Sequence, residues 1–481
     1  MQETRLQLEA LFEKWNGHKN TSFEMLPPSG SDRKYFRLSN EQASAIGVYN
    51  SNIPENKAFI GFTEHFFAKN IPVPQIYGVG EDFQTYLLQD LGNTILLDIV
   101  LSQNQENGLS DEVLIIYKKV IRQLLNIQVN GGEGLDYSLC FQRKSFDEQT
   151  IQWDLNAFKY YFLKLSGIPF NEQALEADFL ELTTTLLNIN MDYFMFRDFQ
   201  ARNIMMVDGN PYFIDYQAGR KGPLQYDLAS LLFQARAALS AEAREELLDY
   251  YIGLAEEMTD INAVSFRNDY YAIVLIRTLQ VLATYGLRGL YEKKPHFIKS
   301  IPFALENAGW LITEKLNALN IPTLKTVLLD LRQMYPIPHH ENQERDKPQG
   351  LTIKVFSFSY KSGIPEDTSG HGGGFVFDCR GIYNPGRYKE YRDLTGRDKP
   401  VIKFLEEKSN IGEFVQNVST VIEPTIKSYL ERGFSSLSVG FGCTGGRHRS
   451  VYSADKMAAY LEEKFPVTVD LRHLQREIEG W

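Results

Sequence analysis

Cysteine and long apolar runs are both scarce in this chain of 481 residues. Its three cysteines, Cys140, Cys379 and Cys443, lie far apart in the sequence, so no disulfide framework is indicated. The first residues lack the apolar core of a signal peptide, and we find no apolar run long enough to span a bilayer. These absences predict a cytoplasmic protein that does not associate with a membrane.

Positive charge is also in short supply, and the formal net charge is −11. Residues 351–481 carry 18 Lys and Arg against 17 Asp and Glu, so the acidic excess lies before residue 351. Repulsion of phosphates makes that acidic part a poor general binder of nucleic acid, whereas the tail is compatible with a local basic site. The length, with 43% apolar residues, predicts a globular protein of roughly two to four domains.

What the chain does have is a stretch, residues 194–227, in which a few polar residues stand among apolar ones. Asp198 follows Phe-Met-Phe-Arg, Asn203 comes five residues later, and Asp215 ends a Tyr-Phe-Ile run. The Asp-Gly-Asn-Pro turn at 208–211 predicts a hairpin between them. Phosphoryl transfer needs one carboxylate at the acceptor hydroxyl, and an amide and a second carboxylate on Mg²⁺. The spacing therefore predicts Asp198 as the catalytic residue and Asn203 and Asp215 as metal ligands.

Each of these residues alone is weak evidence, because an Asp before a strand is usually a cap or turn residue. Residues 194–232 as a whole resemble the aminoglycoside phosphotransferase-like small-molecule kinases. Within them, the chain is most similar to the anomeric sugar kinases that act on N-acetylmuramate and N-acetylglucosamine. The match is carried by Arg197-Asp198, Arg202-Asn203, residues 214–217 and residues 222–232.

The resemblance implies an α+β, two-lobed, protein-kinase-like fold for residues 1–335, with the N-lobe at about 1–90 and the C-lobe at about 91–335. It implies ATP and Mg²⁺ as cofactors and a brace of the catalytic loop by Asp227. Phe196 departs from the family, which usually has His at that position; that His is mainly structural.

A nucleotide site is expected in the N-lobe. The small polar turn at Ser29-Gly30-Ser31 can cover phosphates with backbone N–H groups, and Gln89-Asp90-Leu91 resembles the segment whose backbone would bind adenine. Protein kinases place a phosphate-pairing Lys on the strand that here ends at Tyr49. This chain lacks that Lys. The candidates for contact with the α- and β-phosphates are three basic residues: Arg33, Lys34 and Arg37.

Residues 336–350 are polar, flanked by proline and without periodicity, which predicts a linker. Strands then alternate with helices over 351–481, which predicts a small α/β domain with a mostly parallel sheet. One predicted strand runs into a glycine-containing loop that opens a helix: Cys443, Thr444, Gly445, Gly446, Arg447, His448, Arg449 and Ser450. Converging backbone N–H groups, the helix N-terminus and the two arginines predict an anion-binding loop.

The tail resembles the C-terminal domain of the RNase adapter RapZ. Residues 357–361, 377–380, 384–385, 394–400 and 442–451 carry the match. The resemblance implies that residues 443–450 hold a hexosamine phosphate such as glucosamine-6-phosphate, with Asp378, Arg380 and Asn384 at the sugar. It also implies contact with RNA and partner proteins, although the N-terminal domain of RapZ is replaced here by the kinase.

Two alternatives stay open. Cys443 and Arg449 have the Cys-x5-Arg spacing of cysteine-dependent phosphatases, although the usual preceding His is Gly442. A kinase fold that only binds its ligand would instead make the protein an amino-sugar sensor or adapter. We predict an ATP-dependent kinase that phosphorylates an amino sugar in cell-wall precursor salvage, with a tail that binds a hexosamine phosphate.

Overall fold

The computed structural model describes residues 2–27, 33–103, 110–235, 237, 239–337, 350–365 and 374–480. The chain divides into two compact units, residues 1–338 and 339–481. The predicted phosphate-covering residues Ser29, Gly30 and Ser31, and residues 338–349 of the predicted linker, lie outside the described residues.

The first unit begins with an antiparallel five-stranded sheet in the order β1-β2-β3-β5-β4. Its strands are β1 (Ser22–Met25), β2 (Lys34–Ser39), β3 (Ser44–Tyr49), β4 (Ile76–Val79) and β5 (Thr85–Gln89). Helix α1 (Gln2–Asn16) buries Leu8 and Phe12 against the apolar residues Phe36 and Leu38 of β2.

Helix α2 (Ile53–Ala68) connects β3 to β4. The helix begins before its first phenylalanine, Phe59. The reason is local: the Asn52 side chain accepts the backbone N–H of Glu55, and Pro54 occupies the first turn. Its apolar residues Phe62 and Phe66 then join the main core of the unit.

The rest of the first unit is mainly helical. Its helices are α3 (Leu96–Gln103), α4 (Asp111–Asn126), α5 (Glu148–Phe158), α6 (Lys164–Ser166), α7 (Glu172–Leu187), α8 (Leu224–Leu232), α9 (Ala241–Met258), α10 (Ala263–Tyr285), α11 (Pro295–Ile298), α12 (Ile301–Trp310) and α13 (Pro322–Met334). Side-chain oxygens of the capping residues start five of them: Ser110, Asp147, Asn171, Ser240 and Asn262.

Two short antiparallel hairpin-like pairs lie among these helices. Strand β6 (Tyr193–Met195) pairs with β9 (Arg220–Gly222), and β7 (Ile204–Val207) pairs with β8 (Asn210–Phe213). The strand-turn-strand that the 208–211 turn signal predicted is therefore present. It carries the polar residues of the candidate site at its two ends.

One helical stretch within the described ranges, Ala263–Tyr291, is long and apolar enough to cross a membrane by length and composition. This stretch was not predicted from the sequence. Of its apolar window, 72% is buried inside the protein, because Tyr270, Ile273 and Leu279 belong to the main core.

The second unit has a four-stranded sheet in the order β11-β12-β10-β13, and every pair is parallel. The strands are β10 (Thr352–Ser359), β11 (Phe375–Asp378), β12 (Ser436–Cys443) and β13 (Thr468–His473); the helices are α14 (Lys399–Lys408), α15 (Ile411–Glu431), α16 (Arg449–Lys464) and α17 (Leu474–Glu479). The predicted parallel α/β sheet is confirmed. The last helix, α17, follows directly after β13, which continues to His473.

Candidate functional site

The β7–β8 hairpin brings the three predicted phosphotransfer residues together. Asn203 precedes β7 and Asp215 follows β8, and the antiparallel register places them side by side. The Asn203 amide donates to the Asp198 carbonyl oxygen at 2.9 Å and to Asp215 Oδ2 at 3.3 Å. The backbone N–H of Ile214 donates to the Asn203 carbonyl at 3.1 Å.

The backbone is strained at both edges of this site. Arg197 has φ +78° and Asp215 has φ +70°, in the left-handed region that non-glycine residues rarely adopt. Such strain persists only where surrounding contacts hold it in place, and it concentrates at functional sites.

Asp227, in the first turn of α8, holds the strained loop. Its two carboxylate oxygens accept the backbone N–H groups of Phe196 at 2.7 Å and of Arg197 at 2.9 Å, and Gln128 donates to it at 3.2 Å. The side chain is fully buried. Burial raises the pKa of Asp227 to about 7, against the opposing effect of these hydrogen bonds. The structure thus places Asp227 where the family resemblance implied a brace.

Phe196, which stands where the family has His, is fully buried against Phe199, Phe213 and Tyr216. An apolar ring therefore fills this place, and aromatic packing holds it.

The electrostatics at Asp215 favour an added cation. Partial removal from water raises the pKa of Asp215, and the negative charge of Asp198 raises it further. Gln217 donates to Asp215 Oδ1 at 2.8 Å. Asp215 and Asn203 offer hard oxygen ligands that suit Mg²⁺, which normally takes its other ligands from phosphates and water. Accordingly, no group of three or more His, Cys, Asp or Glu in the described residues could hold a metal by itself.

A cleft of about 650 Å³ lies between the five-stranded sheet and the hairpin. It is lined by the predicted adenine segment Gln89-Asp90-Leu91, by Asn203 and Asp215, and by Arg33. Apolar lining comes from Ile46, Phe59, Leu88, Met205 and Ile214. An apolar cavity with a few convergent polar groups is the usual form of a small-ligand site.

The side chain of Asp90 serves the scaffold. It accepts Arg37 Nε at 2.7 Å, Ser44 Oγ at 2.6 Å and the Gly92 N–H at 3.0 Å. Burial opposes ionisation, but these hydrogen bonds outweigh it and lower the pKa of Asp90. The expected adenine contacts were backbone contacts, so this ion pair leaves that expectation untouched. It also holds the Arg37 side chain against the predicted adenine segment, residues 89–91.

Sequence reasoning missed Arg277 of α10, whose guanidinium lies 3.4 Å from Asp198 Oδ1 and donates to Ser230 Oγ at 3.0 Å. Two further arginines pack near the catalytic loop: Arg197 donates to the buried Asp154 at 2.8 Å, and the fully buried Arg220 donates to Gln142 at 2.9 Å. Burial, and then the charge of Arg197, lowers the pKa of Arg220 to about 10. Of these three arginines, Arg277 is the one in contact with Asp198, whereas Arg197 is paired with Asp154.

In the second unit, the predicted anion-binding loop joins the end of β12 to the start of α16. Gly446 has φ +64°, and a Cβ there would come within 2.9 Å of the Ser359 nitrogen, so the loop requires glycine. Thr444 is tied by its carbonyl, which accepts Ser359 Oγ at 2.8 Å. His448 is the residue before α16, and its Nε2 lies 2.8 Å from the Tyr391 carbonyl. Burial lowers the pKa of His448.

The predicted phosphate ligand Arg449 is partly committed to backbone contacts. Its NH1 donates to the carbonyl oxygens of Arg380 at 2.9 Å and Ile382 at 2.8 Å, and the residue is only 4% exposed. It ties the segment after β11 to the start of α16. The Cys-x5-Arg spacing could not reveal this, because the carbonyls it binds lie 69 and 67 residues away.

The predicted sugar-facing residues have local partners. Asp378 pairs with Arg380 at 2.7 Å, and this ion pair lowers the pKa of Asp378. Asn384 accepts the Gly386 N–H at 3.1 Å. Cys443 is 3% exposed, with its Sγ 3.1 Å from Ser450 Oγ. All of these residues lie around the C-terminal edge of the parallel sheet, where ligands of such sheets bind.

Comparison with known families agrees with this geometry. Residues 27–261 match the phosphotransferase enzyme family, and residues 351–476 match the RapZ C-terminal domain. The chain joins a phosphotransferase domain to a RapZ C-terminal domain. The predicted order of a kinase-like fold followed by a small α/β domain is confirmed.

Curated relatives share only part of the chain. A nucleotide-binding protein of Ralstonia nicotianae is 37% identical over 129 residues, 27% of this chain and 42% of its own length. A nucleotide-binding protein of Glaesserella parasuis is 40% identical over 127 residues, 26% and 42% respectively. The chain thus spans less than half the length of these relatives.

Among solved structures, Plasmodium vivax ethanolamine kinase aligns over 60% of this chain and 82% of its own, with 16% identity and a TM-score of 0.44. A choline/ethanolamine kinase family protein from Mesorhizobium loti aligns over 68% and 99%, with 12% identity and a TM-score of 0.44.

Proposed function

We propose that the phosphotransferase domain transfers the γ-phosphate of ATP to a hydroxyl of an amino sugar of the N-acetylmuramate or N-acetylglucosamine type. The convergence of Asp198, Asn203 and Asp215 beside a 650 Å³ cleft carries the proposal. Adenine would occupy the cleft at residues 89–91, with the phosphates toward Asp215.

Each residue then has a defined task. Asp198 orients the acceptor hydroxyl and accepts its proton as the new O–P bond forms and the bond from the γ-phosphorus to ADP breaks. Asn203 and Asp215 would hold Mg²⁺, which supplies neutralisation of charge on the β- and γ-phosphates. Asp227 keeps the loop that carries Asp198 in its strained conformation through the backbone of Phe196 and Arg197.

The charge around Asp198 supports a neutral or acidic acceptor. Arg197 is already paired with Asp154, but Arg277 places a guanidinium 3.4 Å from Asp198, the side chain that would meet the acceptor. This positive charge opposes the cationic acceptors of aminoglycoside and choline kinases, because like charges close together in a partly buried site repel. An N-acetylated sugar carries no ammonium group, and the lactyl carboxylate of N-acetylmuramate would be attracted.

We test the acceptor with ADP release by the purified full chain. N-acetylmuramate and N-acetylglucosamine should be phosphorylated, whereas aminoglycosides and choline should give release no faster than ATP alone. Turnover restricted to the cationic acceptors would contradict the proposed substrate class. No turnover on any acceptor, with ATP still bound, would favour the sensor function instead.

The RapZ C-terminal domain is proposed to bind a hexosamine phosphate at residues 443–450. The backbone of this loop and the N-terminus of α16 supply the anion site. The low exposure of Cys443, 3%, disfavours the phosphatase alternative, since an attacking thiolate must reach its substrate. Such a site would report a salvage product to the kinase or to an RNA or protein partner.

The two arginines of this loop should behave differently. Calorimetry of the full chain should show binding of glucosamine-6-phosphate, and Arg447→Ala should weaken it by about 10-fold through loss of a charged contact. Arg449→Ala should instead lower the melting temperature, because two carbonyl oxygens lose their buried donor. The expected loss in the free energy of unfolding is about 2–4 kcal/mol.

Lys456→Ala, an exposed substitution on the same helix α16, is the control and should change neither quantity. Unchanged phosphate binding in the Arg447 variant would show that the loop has been assigned to the wrong ligand. Phosphate release that stops in Cys443→Ser would support the phosphatase alternative.

A further inference from the structure

Arg33, just before β2, and Glu55, in the first turn of α2, form an ion pair at the wall of the cleft. Arg33 NH2 lies 2.8 Å from Glu55 Oε1, and the Arg33 side chain is only 3% exposed. The same guanidinium turns its NH1 toward the metal-side carboxylate, 3.8 Å from Asp215 Oδ1. Arg33 also lines the cleft. One buried cation therefore stands between α2 and the proposed metal site.

Glu55 is held in place from a second direction. Asn50, directly after β3, donates its side-chain amide to Glu55 Oε2 at 3.1 Å and to Asn56 Oδ1 at 3.0 Å. This end of β3 is where protein kinases carry the phosphate-pairing lysine. In this protein the end of β3 instead supplies Asn50, which orients the Glu55 carboxylate. The cation is Arg33, which precedes the neighbouring strand β2, and the first residue of β2, Lys34, pairs with Tyr49 across the sheet.

The guanidinium retains capacity for another ligand. Its Nε is buried and has no hydrogen-bond partner among the described residues. A buried N–H without an acceptor destabilises a protein, so such a group is expected to be completed by a ligand. A guanidinium offers several N–H donors in one plane, which match the oxygens of a phosphate group. Glu55 can therefore hold one part of Arg33 while another part meets a nucleotide.

We infer that Arg33, oriented by Glu55, binds the α- and β-phosphates of the nucleotide in place of the absent strand lysine. The inference rests on the proposed use of ATP. Glu55 is a positioning residue, because it acts through Arg33. Since Glu55 belongs to α2 and Arg33 precedes β2, the pair also makes phosphate binding depend on the position of α2.

Calorimetry with adenosine, ADP and AMP-PNP in the presence of Mg²⁺ tests this on the full chain, without any acceptor. Arg33→Met should weaken ADP and AMP-PNP by about 10-fold to 100-fold, the range for losing a charge-assisted hydrogen bond, and leave adenosine binding unchanged. Glu55→Gln should weaken the two phosphorylated ligands by about 10-fold. The two effects should not add in the double variant, since both act through one guanidinium.

Two further variants make the result decisive. Glu64→Gln, an exposed carboxylate on the same helix, should bind every ligand as wild type does. Arg33→Lys keeps the charge and should recover part of the ADP affinity even where Arg33→Met lowers the melting temperature.

An equal loss of adenosine and AMP-PNP in Arg33→Met would show that the pair only supports the fold, and unchanged AMP-PNP binding would show that another group meets the phosphates. Either result overturns the inference. The acceptor proposal fails separately, if this nucleotide pattern holds but no amino sugar is phosphorylated. Wild-type protein that binds AMP-PNP no better than adenosine would overturn both.

Discussion

Replacing Asp198 by Ala should lower turnover by about 10³-fold, the effect of losing a group that orients the nucleophile and accepts its proton. Asp198 is not among the residues that line the cleft, and its side chain is 40% exposed. Binding of AMP-PNP should therefore stay close to wild type. ADP release at saturating acceptor, with calorimetry of AMP-PNP binding, measures the two quantities separately.

Substitutions at two other carboxylates of this region, Asp215 and Asp208, serve as comparisons. Asp215→Asn should weaken Mg²⁺-dependent AMP-PNP binding, because the metal loses a charged ligand. Asp208→Asn changes an exposed carboxylate at the hairpin turn, where the left-handed φ of +49° suits Asn as well as Asp, and should leave both quantities unchanged. Equal losses of turnover and nucleotide binding in Asp198→Ala would mean that this residue supports the loop rather than the reaction.

Replacing Asp227 by Ala should be the most destabilising of the substitutions considered. The backbone N–H groups of Phe196 and Arg197 would lose their acceptors in a buried site. The loss of both hydrogen bonds should lower the free energy of unfolding by about 3–5 kcal/mol. The strained φ of Arg197 would also lose its support, so turnover should fall in the fraction that stays folded. Chemical denaturation measures the first effect and ADP release measures the second.

Asp192→Ala is a suitable control for the brace. Its carboxylate is 80% exposed and pairs with Lys221 at 3.3 Å, a surface ion pair of the kind that contributes little. Its free energy of unfolding should stay within about 0.5 kcal/mol of wild type. A similarly small loss in Asp227→Ala would show that water or another side chain can satisfy the two N–H groups.

The carboxylate of Asp227 should also make the free energy of unfolding depend on pH. Burial raises the pKa of Asp227 to about 7 in the folded protein, from about 4 in an unfolded chain. Between these values the folded protein binds the proton that the unfolded chain has lost, so this contribution to stability falls as the pH rises from about 4 to 7. Asp227→Asn cannot titrate and should lack that part of the slope when unfolding is measured at a series of pH values.

The three phosphotransfer residues could be predicted because their arrangement is local. Asn203 and Asp215 are 12 residues apart, and one hairpin turn brings them together. The parallel sheet of the tail was readable because alternating strands and helices report their own periodicity, whereas the two-lobed fold of the first unit was implied by a family resemblance. The start of α2 was also within reach, since Asn52 and Glu55 have the spacing of an N-terminal cap.

The partners that tune these residues were not readable, because they come from distant parts of the chain. Arg277 meets Asp198 across 79 residues, and Arg449 meets the carbonyl of Arg380 across 69. Neither pairing leaves a periodic or motif signal. Arg449 shows the consequence most clearly: a basic residue in a glycine-containing loop suggested an anion ligand, and only the fold shows that its NH1 also donates to two carbonyl oxygens.

By itself, the sequence determined that Asp198, Asn203 and Asp215 lie together, since spacing along one hairpin suffices for this. It also determined that two domains of different kinds share the chain. Only the tertiary structure decided which charges surround those residues, because burial and contacts between distant segments govern whether an arginine is a ligand, a brace or a positioning partner. Arg33 is the example: its ion pair with Glu55, 22 residues away, places it at the cleft.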